Sequence, residues 1–448
     1  MAKDLTQDKI TPLIVKLALP AVLSLLGLTA NHFIDGIWVG RLGPQALAAI
    51  APAAFVTWIV FSIVDIMPIG LVATISRYYG EKNLDKASDT SIKILQLVFI
   101  ASLFFMVLVA LFSKLILQMI GVSDEVVRLG TIYLQFIAFM LPPLFLIEAI
   151  CSIFRAVGDT TTPMKITLIS IAINMVFDPL LIFGIGPFPE WGIGGAAVAT
   201  TFSYYVAFAW CIFEIRKGKL PFKIFVPKFV RPDFSLYWRL AKIGTPLAIS
   251  GIIFSLIYLT LSKIAAPFGD FVVASFRVGQ LIESISFMVC AAVGTAAASM
   301  VGQNLGAGRP DRALKSAWVA QGIITVFTLF ISFVLFFFAE IITKMFTSDI
   351  PTITASVYYL KIIALSQVFM GIEIVMEGVF SGAGNTLPPM LVSIVGTSLR
   401  IPLAILFVGP MGMGYPGIYW ALTISTFIKG ITIITWFKFG RWKIGKIE

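Results

Sequence analysis

Two short polar clusters stand inside long apolar runs of this 448-residue chain: Asn31-His32-Phe33-Ile34-Asp35 and Asn174-Met175-Val176-Phe177-Asp178-Pro179. Helix positions three and four apart share a face. Asn31, His32 and Asp35 therefore fall on one side of their helix, and Asn174 and Asp178 on one side of theirs. Pro179 has no N–H to offer the carbonyl of Met175, so that oxygen is partly freed. A third run carries Thr200 and Thr201. Two carboxylates, an amide, a hydroxyl and a loosened carbonyl at one depth suit a hard monovalent cation such as Na+, because hard cations take oxygen ligands. They equally suit a shared proton. An ionisable side chain in hydrocarbon is expensive and marks a functional site by default. Asp35, Asn174, Asp178 and Thr200 are thus candidate ligands of an ion, either H+ or Na+. His32, the single histidine, and Asn31 are candidates for a proton relay. Plainer roles also fit: Asp35 solvated near a helix end or paired with Arg41, Thr200 bonded to its own helix, and His32 packed and hydrogen-bonded.

Further acids lie in other apolar runs. Asp65, Glu283, Glu373 and Glu377 are candidates for lining a cavity that attracts a cationic substrate, and Glu373 and Glu377 share a helix side. Each also has a possible ion-pair partner in Arg400 or Lys361. Glu148 falls toward the inner end of its run. Enzyme signals are weak: the chain has no GxSxG, HExxH or GxxxxGK, and no aspartate-rich pair for a metal-diphosphate. Cys151, Cys211 and Cys290 form no CxxC and no framework. No cofactor is expected. Without an ATP-binding segment, transport would run on an ion gradient. One charge falling through ~100 mV yields about 2.3 kcal/mol, enough at ~1.4 kcal/mol per decade for a roughly fifty-fold substrate gradient.

The elements that must position these groups are membrane helices. The chain is 58% hydrophobic and only 12% charged, with a mean hydropathy of +0.97. Apolar runs of about 20 residues, each long enough to span a bilayer, recur along it. Uninterrupted runs indicate helices, since a barrel would show short alternating segments. The pattern predicts an all-α polytopic protein of twelve transmembrane helices. Most of the 33 Lys and Arg lie at the termini and in the loops after even-numbered spans. The positive-inside rule then places both termini in the cytoplasm of a cell membrane. The net charge of +10 is a topology signal; a nucleic-acid partner is not expected.

The chain also repeats. At a constant offset of 226, Pro20 meets Pro246, and Gly80, Asp85 and Ala87 meet Gly306, Asp311 and Ala313. Phe154, Gly158, Thr160, Pro163 and Met164 meet Phe380, Gly384, Thr386, Pro389 and Met390. Each half holds an even number of spans, so the repeats are parallel, related by a pseudo-two-fold axis along the membrane normal, as in transporters. The expected division is an N-terminal six-helix lobe at 1–215, a basic cytoplasmic linker at 216–242 and a C-terminal six-helix lobe at 243–448. The positions matching Asp35 and Asp178 are Leu261 and Ala404, so an ion site there would belong to one lobe only.

These residues resemble the multidrug and toxic compound extrusion (MATE) family. The resemblance covers nearly the whole chain. It rests on Leu19-Pro20, Asp35-Gly36-Ile37-Trp38-Val39, Arg155-Ala156-Val157-Gly158-Asp159-Thr160, Asn174 with Asp178-Pro179, Gly194-Gly195-Ala196-Ala197, and Val301-Gly302-Gln303-Asn304-Leu305-Gly306-Ala307-Gly308. It implies a two-lobed exporter, working as a monomer in the lipid bilayer, that antiports small lipophilic or cationic drug-like compounds against H+ or Na+. It further implies that Asp35 and Asp178 bind the coupling ion beside Asn174 and Thr200, and that the first span bends as Asp35 changes protonation. The run Ser250-Gly251-Ile252-Ile253-Phe254-Ser255 lacks the glutamate of NorM-type relatives and looks more like the DinF-like branch. The nearest rival is a lipid-linked oligosaccharide flippase of the same superfamily, whose members often have fourteen spans and more basic cavities. A membrane-embedded enzyme would need a dense catalytic cluster at one face, and none is seen.

Overall fold

A computed structural model gives the fold, and it describes residues 4–64, 66–120, 123–224 and 230–440. Asp65 lies outside the described residues. The chain divides into two compact units. The first comprises Met1–Asp4 and Leu19–Ala241. It contains most of α1 (Ile10–Gly40), then α2 (Pro44–Val64), α3 (Ile66–Gly80), α4 (Leu84–Ile120), α5 (Asp124–Ala138), α6 (Leu141–Ala156), α7 (Thr161–Phe183) and α8 (Ile193–Arg216). The second comprises Leu5–Ala18 and Lys242–Glu448. It contains most of α9 (Phe234–Ala265), then α10 (Asp270–Gly306), α11 (Pro310–Phe337), α12 (Ala339–Lys344), α13 (Ile350–Ala364), α14 (Gln367–Gly382), α15 (Leu387–Ser398), α16 (Arg400–Val408) and α17 (Pro416–Phe439).

The described helices supply the twelve spans that the apolar runs predict. Ten stretches are long and apolar enough to cross a membrane, and α5–α6 and α13–α14 form two more, bent by 48° and 59°. The first bend has a sequence cause. Pro142 and Pro143 open α6 and donate no N–H, so α5 cannot continue through them. The second has no proline. Its freed carbonyls are satisfied from other helices: Ser332 donates to Ala364 O (2.6 Å) and Thr423 to Ile362 O (3.2 Å). Unpaired backbone groups inside hydrocarbon are costly, so these hydroxyls are what make the bend tolerable. Outward faces suit lipid: α4 exposes Phe104, Val107 and Leu111, and α11 exposes Val326, Phe330 and Phe333.

Each unit closes around an arm from the start of the other half's first helix. Leu5, Ile10, Ile14 and Leu17 are buried among Val293, Met300, Ile324 and Phe437 of the second unit. The backbone ahead of α1 is gripped there. The Leu5 amide donates to Gln303 Oε1 (3.1 Å), Arg309 Nη1 donates to Thr6 O (2.6 Å), and Arg312 donates to Asp8 O. Reciprocally, Leu236 and Leu240 of α9 are buried with Leu71, Leu141 and Ile150 of the first unit. Gly70 of α3 admits this arm, since a Cβ there would stand 2.7 Å from Leu240 O. Asp233 caps α9 by accepting from the Leu236 amide (3.0 Å), and pairs with Lys93 of α4 at 3.3 Å. That amide and Lys93 hold the Asp233 carboxyl below the usual carboxylate range.

Candidate coupling-ion site

The site in the first unit depends on two close helix approaches. Gly195 of α8 lies against the α7 backbone: a Cβ there would stand 2.2 Å from Leu181 O and 2.5 Å from Leu181 C. Only glycine permits that spacing, and it brings Thr200 within reach of α7. Gly27 of α1 faces Ile171 and Leu168 of α7, with a Cβ position 3.2 and 3.3 Å from their side-chain methyls. Asn31, one turn further along α1, therefore meets α7 at Asn174.

A continuous hydrogen-bond chain results. Asn31 Nδ2 donates to Asp35 Oδ2 (3.1 Å) and to Asn174 Oδ1 (2.8 Å). Asn174 Nδ2 donates to Asp178 Oδ1 (3.0 Å) and reaches Thr200 Oγ1 (3.3 Å). Thr200 Oγ1 passes its own proton to Ala196 O (2.9 Å). The chain thus links three helices, with one carboxyl group at each of two branches. The two carboxyl groups are close enough to feel each other's charge. Three buried oxygens in this group have no hydrogen-bond partner among the described residues: Asn31 Oδ1, Asp35 Oδ1 and Asp178 Oδ2. Asn31, Asn174 and Asp178 are nearly fully buried. Two bare carboxylates held together in an apolar lobe repel, and a proton or a small cation between them removes the repulsion. Orphaned carboxylate and amide oxygens are also the ligand type that a hard cation takes.

The structure brings together Asp35, Asn174, Asp178 and Thr200, and gives Asn31 a larger part than a side relay: it is the bridge from α1 to α7. His32 is exposed and joins none of these bonds. The alternative partner for Asp35, Arg41, instead lies over the Trp38 ring at 4.7 Å.

The acids of the second unit are arranged differently. Glu283 of α10 accepts from Tyr359 Oη (3.1 Å) and Gln367 Nε2 (3.3 Å), and Ser286 donates to Gln367 Oε1 (2.9 Å). Glu373 of α14 pairs with Lys429 of α17 at 2.8 Å in a nearly closed environment. Glu377 stands one turn along α14, near both. In place of the Arg400 or Lys361 that the sequence offers, Glu283 takes Tyr359 and Gln367, and Glu373 takes Lys429. Lys361 is exposed and lies 6.0 Å from the Phe336 ring. Glu148 pairs with Arg155 at 3.2 Å. Among the described residues no group of three or more His, Cys, Asp or Glu is placed to hold a metal ion.

Membrane-length helices in two repeated units, with buried carboxyl groups in both, are the architecture of a polytopic membrane transporter. The MatE sequence profile matches residues 20–180 and again 246–406, and the chain belongs to that family. The two matches are displaced by the same 226 residues that relate the halves. Relatives include a Thermotoga maritima protein named "Probable multidrug resistance protein NorM", 27% identical over 96% of this chain and 92% of its own length. The FAD transporter of Shewanella oneidensis is 29% identical over 93% and 92%. A Bacillus subtilis protein named "Probable multidrug resistance protein YpnP" is 27% identical over 100% and 99%. Among solved structures, a MATE in the straight conformation superposes with a TM-score of 0.91 at 21% identity, over 97% of each chain. A Pyrococcus furiosus transporter of the MOP superfamily, described as having a binding pocket of reversed polarity, gives 0.90 at 21% over 97% and 96%.

Proposed function

We propose that the chain is a secondary-active exporter of the cytoplasmic membrane, with both termini inside, that works as a monomer. It moves amphipathic drug-like compounds, organic cations among them, outward in exchange for H+ or Na+. Asp35 and Asp178 take the coupling ion, with Asn31, Asn174 and Thr200 fixing their positions. The observation that carries this reading is the buried chain of five side chains on α1, α7 and α8, in which one oxygen of each carboxyl group and of the Asn31 amide has no partner among the described residues. Binding an ion there exchanges repulsion for attraction and tightens α1 onto α7. Release loosens it. The names of the relatives support drug export, and the FAD transporter among them keeps organic anions within the range of cargo.

The test is dye uptake into everted vesicles, the equivalent of cellular efflux, under an imposed pH gradient and, separately, an imposed Na+ gradient. One of the two drives efflux in the wild type. Asp35→Asn and Asp178→Asn each abolish the response while binding of the dye persists. Unchanged ion-driven efflux in Asp35→Asn would overturn the assignment.

A further inference from the structure

The 226-residue offset maps the ion site of the first unit onto a defined place in the second. Asn174 corresponds to Arg400, Thr200 to Thr426, Ala196 to Leu422, His32 to Tyr258 and Asn31 to Ile257. The framework is retained. Asn174 Nδ2 reaches Thr200 Oγ1 at 3.3 Å, and Arg400 Nη2 reaches Thr426 Oγ1 at 3.2 Å. Thr200 donates to Ala196 O at 2.9 Å, and Thr426 donates to Leu422 O at 2.9 Å. The charge is reversed. Both carboxylates are gone, replaced by Leu261 and Ala404, and the central amide has become a guanidinium.

That guanidinium is built in. Arg400 is 4% exposed. Its Nε donates to Ser425 Oγ at 2.8 Å, and its Cζ stands 5.2 Å from the Tyr258 ring centre and 5.7 Å from that of Phe254. Nη1 has no hydrogen-bond partner. Among the described residues no carboxylate lies within ion-pair distance of it: Glu373 is taken by Lys429, and Glu283, although within electrostatic range, has both oxygens held by Tyr359 and Gln367. A buried, permanently charged group with no carboxylate in direct contact is costly to hold in a membrane lobe, and such groups mark binding sites. Serine and threonine hydroxyls fix the plane of the fork, the aromatic rings flank it, and the Nη1 edge alone is left without a hydrogen-bond partner among the described residues. That edge matches a planar or tetrahedral oxyanion.

The geometry points to Arg400 as a docking point for an oxyanion, a carboxylate or phosphate-type group on the transported molecule, in the lobe opposite the coupling ion. Cargo then includes zwitterionic and acidic amphiphiles as well as cations. With Glu283 in electrostatic range of Arg400, the lobe presents a cation and an anion in one region, which suits a molecule carrying both. The cargo part of this inference rests on the export reading above; the binding site does not.

The test uses purified full-length protein in detergent and two fluorescent probes, an aminoxanthene dye with a free benzoate and the methyl ester of the same dye. Affinities are read by fluorescence anisotropy, with no gradient present. Wild type binds the free acid more tightly than the ester. Arg400→Asn, which installs the residue of the first unit, weakens the acid about tenfold or more, the range for loss of a charge-assisted hydrogen bond, and leaves the ester within about twofold. Arg400→Lys keeps the charge but not the fork, and preserves the order of preference at reduced affinity. Should Arg400→Asn fail to fold, Arg400→Lys decides alone: equal loss for both probes, or no loss for either, overturns the site. So does a wild type that does not prefer the acid. If selective binding holds while vesicles show no ion-driven efflux, the export reading falls and the oxyanion site stands.

Discussion

Gly195→Ala isolates the spacing on which the ion site depends. The methyl group would sit 2.2 Å from Leu181 O and 2.5 Å from Leu181 C, both backbone atoms that no rotamer can move aside. Ordinary contact begins near 3.4 Å, so α8 must retreat from α7 by about 1 Å or tilt to the same effect. The Asn174–Thr200 contact is already 3.3 Å, and that retreat takes it beyond hydrogen-bond range. The lost bond is worth about 1 kcal/mol, and overpacking adds about 1–3 kcal/mol of destabilisation. A displacement of this size at a reacting geometry lowers turnover by about a hundredfold. The assay is ion-driven dye uptake into everted vesicles, the equivalent of cellular efflux, normalised to folded protein, with thermal unfolding measured on the same preparations. Gly195→Ala is expected to unfold at lower temperature and to lose most ion-driven efflux. Thr200→Val, which removes the hydroxyl without moving the helix, loses about fivefold. Gly322→Ala on α11, where a Cβ meets nothing within 4 Å, is the neutral control. Wild-type efflux in Gly195→Ala, or a Thr200→Val defect as deep as that of Gly195→Ala, would refute the claim that helix spacing positions the site.

Other consequences are open to measurement. Asp159, in the loop ahead of α7, accepts from the amides of Thr161 (3.1 Å) and Thr162 (3.0 Å) and from the Thr162 hydroxyl (2.9 Å). Burial pushes its carboxyl up, but these bonds outweigh burial and hold it below the usual carboxylate range. A depressed pKa contributes stability above the unfolded value near ~4 that is lost as pH falls through the folded value. Asp159→Ala should therefore lower the unfolding temperature at pH 7, by about 1–2 kcal/mol of cap stability, and the gap to wild type should close in acid. A gap independent of pH would sink this account. In the second unit, Glu373→Gln or Lys429→Met alone strands a buried charge at a cost of about 3–5 kcal/mol, whereas the double change recovers most of it. Thermal unfolding of the three variants checks this, and additive losses would contradict it.

The spans were legible because a membrane helix must be apolar for about 20 residues, and little else in a sequence looks like that. Asp35 and Asp178 are legible as candidates because a charge inside such a run is costly and rare. What connects them was not. The Asn31–Asn174 bond joins residues 143 positions apart, and helical periodicity says which residues share a face but not which helix that face meets. Asn31 accordingly reads as an accessory from sequence and is a bridge in the structure. The same limit hid Lys429 as the partner of Glu373. The bend at Leu365–Ser366 has no proline to announce it, and depends on hydroxyls from α11 and α17. Arg400 was visible all along at the offset position of Asn174, but its isolation from carboxylates appears only once the neighbours have found other partners.

The reciprocal arms have a consequence for how such a chain is made. Ile10 and Ile14 stand at the offset positions of Leu236 and Leu240, and each pair is buried in the unit to which most of its own helix does not belong. The first unit therefore cannot close until the ribosome has passed residue 241, and the opening arm waits nearly 300 residues for Gln303. A gene cut at the linker would yield two fragments, each missing a piece of its core and carrying the piece the other needs. The exchange of first turns is that of a domain-swapped dimer held in one chain, where it no longer depends on concentration. The two copies have diverged around it: Asp35, Asn174 and Asp178 in one stand where Leu261, Arg400 and Ala404 stand in the other.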